Sequence, residues 1–298
     1  MKAPGTLTVV ATPLGDARDL SPRAAAALRA ADLIVAEDTR SARRLLAQVG
    51  REGRDGMDGK GGMDGAAGGP SIVSCFDGNE AARAREVAAR LETGEEVVLI
   101  SEAGTPLVSD PGYRIVAAAI AAGARVVPVP GPSAVLAALV GAGLPTDRFL
   151  FLGFPPRKSG ARRRLFESLR ALPFTLVFYE SPLRAGATLA DLASVLGGDR
   201  RACVARELTK PHEEFVRDCL EALTARYAES RPLGEVTLVV AGADGAGAVD
   251  LDDDEIRERA AAILAEGRSA SDAARELAVL TGRPRREVYA LVASRRKP

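Results

Sequence analysis

Short apolar runs rich in β-branched residues alternate with alanine-rich amphipathic segments from residue 7 to residue 129. The run Val97-Val98-Leu99-Ile100 predicts a buried strand, and residues 113–122 predict the helix behind it. Such alternation is typical of a largely parallel sheet covered by helices, because parallel strands need crossover connections. The sequence therefore predicts an α/β fold whose first sheet contains strands at residues 7–11, 33–35, 97–100 and 126–129.

A second α/β domain is predicted at residues 130–242, after a first domain at residues 1–129. Its strands are expected at residues 149–152, 175–179, 201–206 and 235–241. Residues 50–70 hold the near-repeat Gly56-Met-Asp-Gly59 and Gly62-Met-Asp-Gly65 and almost no large apolar side chain, which predicts a mobile surface loop. The acidic, glycine-rich residues 243–254 predict a linker.

Residues 255–298 predict a small helical tail. Ser269 and Asp272 approximate a capping box before a helix at residues 270–280, and Pro284 begins another that runs to about residue 293. The pair, joined through Gly282, resembles a helix-turn-helix. Its cations either bind nucleic acid or form a solvated face: Arg283, Arg285, Arg286, Arg295, Arg296 and Lys297.

Composition excludes several classes of protein. No window approaches the roughly 18 unbroken apolar residues of a membrane span, and the amino terminus lacks a signal pattern; we therefore expect a cytoplasmic protein with no membrane partner. The three cysteines are odd in number and show no CxxC spacing, and His212 is the only histidine, so we expect no metal site. Because the net charge is zero, any nucleic-acid binding depends on local basic patches.

The stretch Ser101-Glu-Ala-Gly-Thr-Pro-Leu-Val-Ser-Asp-Pro-Gly112 directly follows a predicted buried strand. Ligands of open α/β sheets bind at the carboxyl ends of strands, and this connection is longer than a simple link requires. It carries two acids, Glu102 and Asp110, between glycines and prolines. The pattern predicts a ligand-binding loop; the alternative is an ordinary strand-to-helix connection.

Four more motifs follow predicted strands: Thr12-Pro-Leu-Gly-Asp16, Ala36-Glu-Asp-Thr-Arg40, Pro130-Gly-Pro-Ser-Ala134 and Phe178-Tyr-Glu-Ser-Pro182. In this order and spacing they resemble the tetrapyrrole-methylase superfamily and, within it, the small-subunit ribosomal RNA 2′-O-methyltransferase subfamily. The resemblance covers residue 7 to about residue 242 and the tail. It implies a two-domain tetrapyrrole-methylase-like fold, S-adenosylmethionine as methyl donor, a homodimer, and a cytidine 2′-hydroxyl in the 16S rRNA of the small ribosomal subunit as acceptor.

The same resemblance implies a donor site between the two domains. No G-x-G-x-x-G follows the first strand, which argues against an ordinary dinucleotide site. For Pro13, the alternative to a place in the donor site is a simple turn proline. The residues expected at the donor site are Pro13, Ala103, Gly104, Thr105, Val108, Ser133, Ala134, Glu180, Leu208 and Ala241.

Methylation of a ribose hydroxyl requires alignment with the donor and removal of a weakly acidic proton. Glu102 and Asp110 are the first catalytic candidates because they share the loop at residues 101–112. The remaining candidate acids are Glu37, Asp38 and Glu180. The alternative is that these acids cap helices or pair with neighbouring arginines.

Two basic clusters suggest contacts with RNA phosphates. The predicted contact residues are Arg40, Arg44, Arg157, Lys158, Arg162, Arg163 and Arg164. Phe154 and Tyr179 are the candidate stacking partners for an extruded base. The alternative for each cluster is a solvated helix face.

Three residues depart from the subfamily pattern: Asp16 replaces asparagine, Glu102 replaces aspartate, and Leu183 replaces histidine. The missing histidine removes any ring-mediated role at that position. Two other functions remain open. One is a tetrapyrrole C-methyltransferase on the same fold, which would have little use for the arginine run. The other is a non-catalytic RNA-binding protein, which would not need the glycine-proline loops.

Overall fold

The computed structural model describes residues 3–55, 69–243, 251–281 and 283–294. Its first sheet is entirely parallel, with strand order β3-β4-β2-β5-β1-β6. The strands are β1 (Thr6–Val10), β2 (Leu33–Ala36), β3 (Arg54–Asp55), β4 (Ser71–Ser74), β5 (Val97–Ile100) and β6 (Arg125–Val129). Every residue of β2 and β5 is buried, as expected for central strands covered on both faces. The predicted α/β class and parallel sheet are confirmed.

Four helices cover the two faces of this sheet. They are α1 (Pro22–Ala30), α2 (Thr39–Gln48), α3 (Glu80–Glu92) and α4 (Tyr113–Ala121). Apolar side chains of α1 and α2 pack on one face, and those of α3 and α4 pack on the other. Pro128 lies in β6, where an edge strand tolerates the missing N–H.

The second sheet is mixed, with strand order β10-β9-β11-β8-β7, and only β7 and β8 run parallel. Its strands are β7 (Phe149–Phe151), β8 (Thr175–Glu180), β9 (Arg201–Arg206), β10 (Glu214–Cys219) and β11 (Val236–Val240). Its helices are α5 (Ala134–Ala142), α6 (Ser159–Leu169), α7 (Ala185–Leu196) and α8 (Leu220–Glu229). Helices α6 to α8 cover one face. On the other face α5 packs together with Leu14 and Val108 of the first domain, so this cluster joins the two domains.

The tail is helical, as predicted, and its described residues form α9 (Asp253–Ala265), α10 (Ala270–Thr281) and α11 (Arg285–Ala293). They enclose a small core of their own that contains Ile256, Leu277 and Val288. Ser269 caps α10 by accepting a hydrogen bond from the Asp272 N–H at 3.1 Å. No helix in the described part of the chain is both long and apolar enough to cross a bilayer.

The structure differs from the sequence-based prediction at four places. Strands β4 and β10 were not expected, because β4 has only two apolar residues between its serines and β10 is a charged, partly exposed edge strand. The linker prediction is wrong at its end, where Asp252 caps α9 and Asp253 begins the helix. The expected loop at residues 50–70 contains the short strand β3, and its residues 56–68 lie outside the described part of the chain.

Candidate active site between the two domains

The loops that follow β1 and β5 are joined by two backbone hydrogen bonds. The Thr12 N–H donates to the Gly104 carbonyl at 2.9 Å, and the Gly104 N–H donates to the Thr12 carbonyl at 3.0 Å. These loops meet because β1 and β5 are neighbours whose carboxyl ends lie at the same sheet edge. Gly104 has φ +81°, and a Cβ there would lie 3.1 Å from Leu14 Cδ2. Glycine therefore allows the close approach of the two loops.

A cleft opens between the two domains beside these loops. One cavity, of about 450 Å³, has walls from both domains, including Glu37, Asp110, Phe154, Tyr179 and Glu235. A second cavity, of about 490 Å³, adjoins it and shares Leu14, Glu102 and Ala103 with it. Together these two cavities, hereafter the cleft, lie at the strand ends where α/β folds bind ligands.

The structure gathers most of the expected donor-site residues around this cleft. Those that line it are Pro13, Ala103, Gly104, Thr105, Val108, Ala134 and Glu180. Ser133 caps α5 by accepting a hydrogen bond from the Leu136 N–H. Leu208 and Ala241 pack in the hydrophobic cluster that joins the domains, behind the cleft.

The carboxylate of Glu180 has a structural role. It is fully buried, pairs with Arg184 Nη2 at 2.5 Å, and accepts hydrogen bonds from the Thr188 hydroxyl at 2.6 Å and the Ser181 N–H at 2.7 Å. A carboxylate with these three partners holds the end of β8 against α7. Its candidacy as a proton acceptor is therefore wrong.

Of the other candidate acids, Glu37, Glu102 and Asp110 line the cleft and Asp38 does not. Burial raises the pKa of Asp110 to about 6, with further contributions from the charges of Glu37 and Glu102, against a hydrogen bond from Ser101. Partial burial, followed by the charge of Glu102, also raises the pKa of Glu37. Asp38 instead caps α2, and the hydrogen bond from the Arg40 N–H lowers its pKa. The cleft therefore concentrates negative charge around a half-buried carboxyl group.

Tyr179 lies on the opposite wall of the cleft from these acids. Burial raises the pKa of its hydroxyl to about 12, and the negative charge of Asp110 acts in the same direction. The ring packs edge-on against Phe151, with 4.9 Å between the centroids. Tyr179 therefore stays protonated at neutral pH, and its ring is held in place against Phe151.

Backbone strain is concentrated in loops of the cleft. In the described ranges, four residues other than glycine have left-handed φ values: Leu107, Ser109, Glu207 and Thr209. The first two belong to the loop at residues 101–112. The other two lie in a second-domain loop that meets the first domain, where the Thr209 hydroxyl accepts a hydrogen bond from the Asp16 N–H at 3.1 Å. Such conformations cluster at ligand sites because the surrounding structure must hold them in place.

The structure corrects one of the predicted RNA-contact residues. Arg162 is only 4% exposed and pairs with Asp191 at 2.5 Å, so it cannot reach a phosphate. Its neighbours point to solvent, and Arg44 lines the cleft. The exposed members of the predicted set are Arg40, Arg44, Arg157, Lys158, Arg163 and Arg164. Among the residues that the structure describes, no cluster of potential metal ligands is found.

Comparison with known proteins identifies relatives along most of the chain. Residues 6–224 match the family model for tetrapyrrole (corrin/porphyrin) methylases. The chain is 41% identical over 287 residues to ribosomal RNA small subunit methyltransferase I of Synechocystis sp., covering 96% of this chain and 97% of the relative. It is 44% identical over 293 residues to the protein of the same name from Xylella fastidiosa, covering 97% and 99%.

Solved structures share the fold at lower sequence identity. A diphthine synthase superposes with a TM-score of 0.57 at 20% identity, covering 80% of this chain and 90% of that one. A uroporphyrin-III C-methyltransferase from Thermus thermophilus, crystallised with S-adenosylhomocysteine, gives a TM-score of 0.53 at 20% identity, covering 79% and 97%. These likenesses establish the architecture; the substrate has to be inferred from the site.

Proposed function

This chain belongs to the tetrapyrrole (corrin/porphyrin) methylase family and is an S-adenosylmethionine-dependent methyltransferase, and we propose that it methylates a cytidine 2′-hydroxyl in 16S rRNA of the small ribosomal subunit. The relatives named for small-subunit rRNA methylation match nearly the whole chain, including the tail. Apart from family membership, the proposal rests on the cleft, which has acidic side chains at its centre and exposed cations nearby.

The residues of the cleft fit S-adenosylmethionine. Its sulfonium is positive, and Glu37, Glu102 and Asp110 supply negative charge on one wall. Leu14 and Val108 offer apolar surface, and the glycine at position 104 lets the backbone come close. These groups would hold the donor between the domains, and when bound the donor supplies an electrophilic methyl group.

Within this arrangement Asp110 is the group suited to take the proton. Its raised pKa lies close enough to neutrality for general-base catalysis while leaving the carboxylate ionised at pH 7 to 8. With S-adenosylmethionine bound as the source of the methyl group, Asp110 would accept the proton that leaves the ribose hydroxyl. Glu102, which is exposed at the mouth of the cleft, contributes charge rather than proton transfer.

The exposed arginines of α6 bind RNA phosphates in this proposal. Replacing both Arg163 and Arg164 with glutamate is expected to weaken binding to small subunits and to flatten the slope of log affinity against log salt by about 1 to 2. Filter binding at several salt concentrations measures the slope, and an unchanged slope would show that the pair faces solvent.

By contrast, Arg162→Met should lower the free energy of unfolding by about 3 kcal/mol, because the buried Asp191 would lose its charged partner and keep only the hydrogen bonds from the Ser159 hydroxyl.

The proposed function is tested by transfer of a labelled methyl group. Purified protein, labelled S-adenosylmethionine and small subunits that lack the modification are expected to give one labelled cytidine, modified on the ribose and located by mass spectrometry. Uroporphyrinogen provides the comparison acceptor. Label in uroporphyrinogen but not in rRNA would favour the tetrapyrrole reaction, and binding of RNA without any transfer would favour a non-catalytic role.

We also propose that the protein is a cytoplasmic homodimer. Helices α4 and α5 expose large apolar side chains, with Tyr113 and Val140 each 74% exposed, Ile120 62% and Leu136 51%. We expect these side chains to form one apolar surface, which is more typical of a protein interface than of a monomer. Light scattering is expected to give twice the chain mass of 31.0 kDa, and Ile120→Asp combined with Val140→Asp should give a folded monomer. A wild-type monomer at micromolar concentration would contradict the proposal.

A further inference from the structure

The loop between β7 and α6, residues 153–158 and hereafter the platform loop, is held from behind by two arginines. Arg184 Nη1 donates to the Pro155 carbonyl at 3.2 Å while its Nη2 pairs with Glu180. Arg162 Nη1 donates to the Arg157 carbonyl at 3.3 Å while its Nε and Nη2 bind Asp191. Each guanidinium is thus fixed by a carboxylate and in turn fixes the platform loop.

The start of the platform loop is fixed by β8. The Gly153 carbonyl accepts a hydrogen bond from the Tyr179 N–H at 3.0 Å. Gly153 also has φ +61°, and a Cβ there would lie 3.2 Å from Ser109 Oγ in the loop at residues 101–112. The loop at residues 101–112 therefore leaves little room for a residue larger than glycine at position 153.

This rigid loop exposes a phenylalanine at the cleft. The Phe154 side chain is 57% exposed although it lines the cavity that contains Asp110. One side of its ring packs on Tyr179, with centroids 5.6 Å apart and planes inclined by 56°. Exposed Arg157 and Lys158 follow within four residues. An apolar ring held in place beside cations offers both a stacking surface and phosphate contacts.

We propose that Phe154 is a stacking site for an unpaired nucleobase of the RNA acceptor, with Arg157 and Lys158 binding the flanking phosphates. This inference rests on the proposed function, because it assigns the acceptor side of the same cleft. Proteins that recognise RNA in a single-stranded state stack splayed-out bases on aromatic side chains, a contact worth about 1–3 kcal/mol per base. Arg162 and Arg184 are positioning residues that keep the ring in place before RNA arrives.

Removal of the ring tests the stacking site. Phe154→Ala is expected to raise the KM for small subunits about 10-fold, with the calorimetric Kd for S-adenosylmethionine unchanged within twofold. Phe154→Tyr should restore the wild-type KM because it keeps the ring. Phe76→Ala is the matched control, since Phe76 is similarly exposed, at 52%, and lies at the end of β4 rather than on the platform loop.

Each contrary result has its own meaning. A parallel loss of donor affinity in Phe154→Ala would overturn the inference, since the ring would then contact the donor. An unchanged KM with wild-type activity would also overturn it, because the ring would face solvent. Wild-type protein that leaves small subunits unlabelled would reject the proposed function and, with it, this assignment of the acceptor.

The positioning role is tested by a double-mutant cycle. Arg184→Lys keeps a positive charge near Glu180 but loses the forked geometry that also reaches Pro155. We expect a higher KM for small subunits with kcat at saturation and donor Kd unchanged. If Arg184 acts through the ring, then adding Phe154→Ala should raise the KM no further than Phe154→Ala alone. Additive effects, or a fall in kcat without a change in KM, would overturn the positioning role.

Discussion

Asp110→Asn is expected to lower kcat for methyl transfer about 100-fold or more at saturating S-adenosylmethionine. The amide keeps the shape of the side chain and its place in the cleft but cannot accept the hydroxyl proton, and general-base catalysis contributes about 10²–10⁴-fold. Single-turnover transfer to small subunits separates this chemical step from binding. Glu102→Gln, in the same loop, is the matched control and should lose much less activity. The reverse order of effects would move the base to Glu102.

The pH dependence of the wild-type reaction follows from the same carboxyl group. Only ionised Asp110 accepts a proton, so kcat/KM should rise with pH through about 6 and level off above it. The acid limb should be absent in Asp110→Asn, whose residual activity would vary little between pH 5 and 8. A wild-type profile that is flat across this range would contradict the assignment.

In Asp110→Asn the free energy of unfolding should rise although the activity falls. Because the folded-state pKa of Asp110 lies above its unfolded value of 3.8, ionisation at neutral pH costs folding free energy. Asp110→Asn removes that cost, so the variant should be more stable by about 1 kcal/mol above pH 6, after allowance for solvent screening of a half-exposed group. The difference should vanish as the pH falls below 3.8. Thermal melts at pH 8 and pH 3.5 measure it.

The sequence is most informative where local pattern and topology coincide. The buried run of β5 and the long loop behind it could be placed from apolar periodicity and glycine-proline content alone. Their neighbours in space could be inferred as well, because carboxyl ends of parallel strands share one edge. The left-handed φ of Ser109 has no such signal, since serine at that position could equally adopt ordinary backbone angles.

Side-chain direction is what the sequence leaves open. Three consecutive arginines at residues 162–164 look alike in the sequence, yet Arg162 is buried against Asp191 while its neighbours are exposed. The partner lies 29 residues away on α7, so only the packing of α6 on α7 separates the three. Glu180 is a similar case, because its partners lie further along the chain, with Arg184 at the N-cap of α7 and Thr188 in the first turn of that helix. A carboxylate in a site-like motif can therefore be structural.

The glycine at position 104 determines whether the donor loops can meet at all. Gly104→Val is expected to weaken binding of S-adenosylmethionine at least 10-fold, measured by calorimetry. A β-branched residue at φ +81° costs about 1–3 kcal/mol, and its Cβ would meet Leu14 at 3.1 Å, so the pair of hydrogen bonds to Thr12 would have to distort. About 1.4 kcal/mol corresponds to a tenfold change in affinity.

Gly123→Val is the matched control for Gly104→Val, because it introduces the same backbone strain away from the two loops of the cleft. Gly123 also has a left-handed φ, +71°, but a Cβ there would have no neighbour within 4 Å, and it follows α4 rather than facing the cleft. Both variants should therefore lose stability in thermal melts, Gly104→Val the more of the two because of its contact with Leu14, whereas only Gly104→Val should lose donor affinity. Equal donor affinities in the two variants would mean that contact between the Thr12 and Gly104 loops is needed for folding alone. A selective loss at position 104 would instead show that these two loops form the wall against which the donor binds; Asp110 follows this glycine by six positions along the same connection.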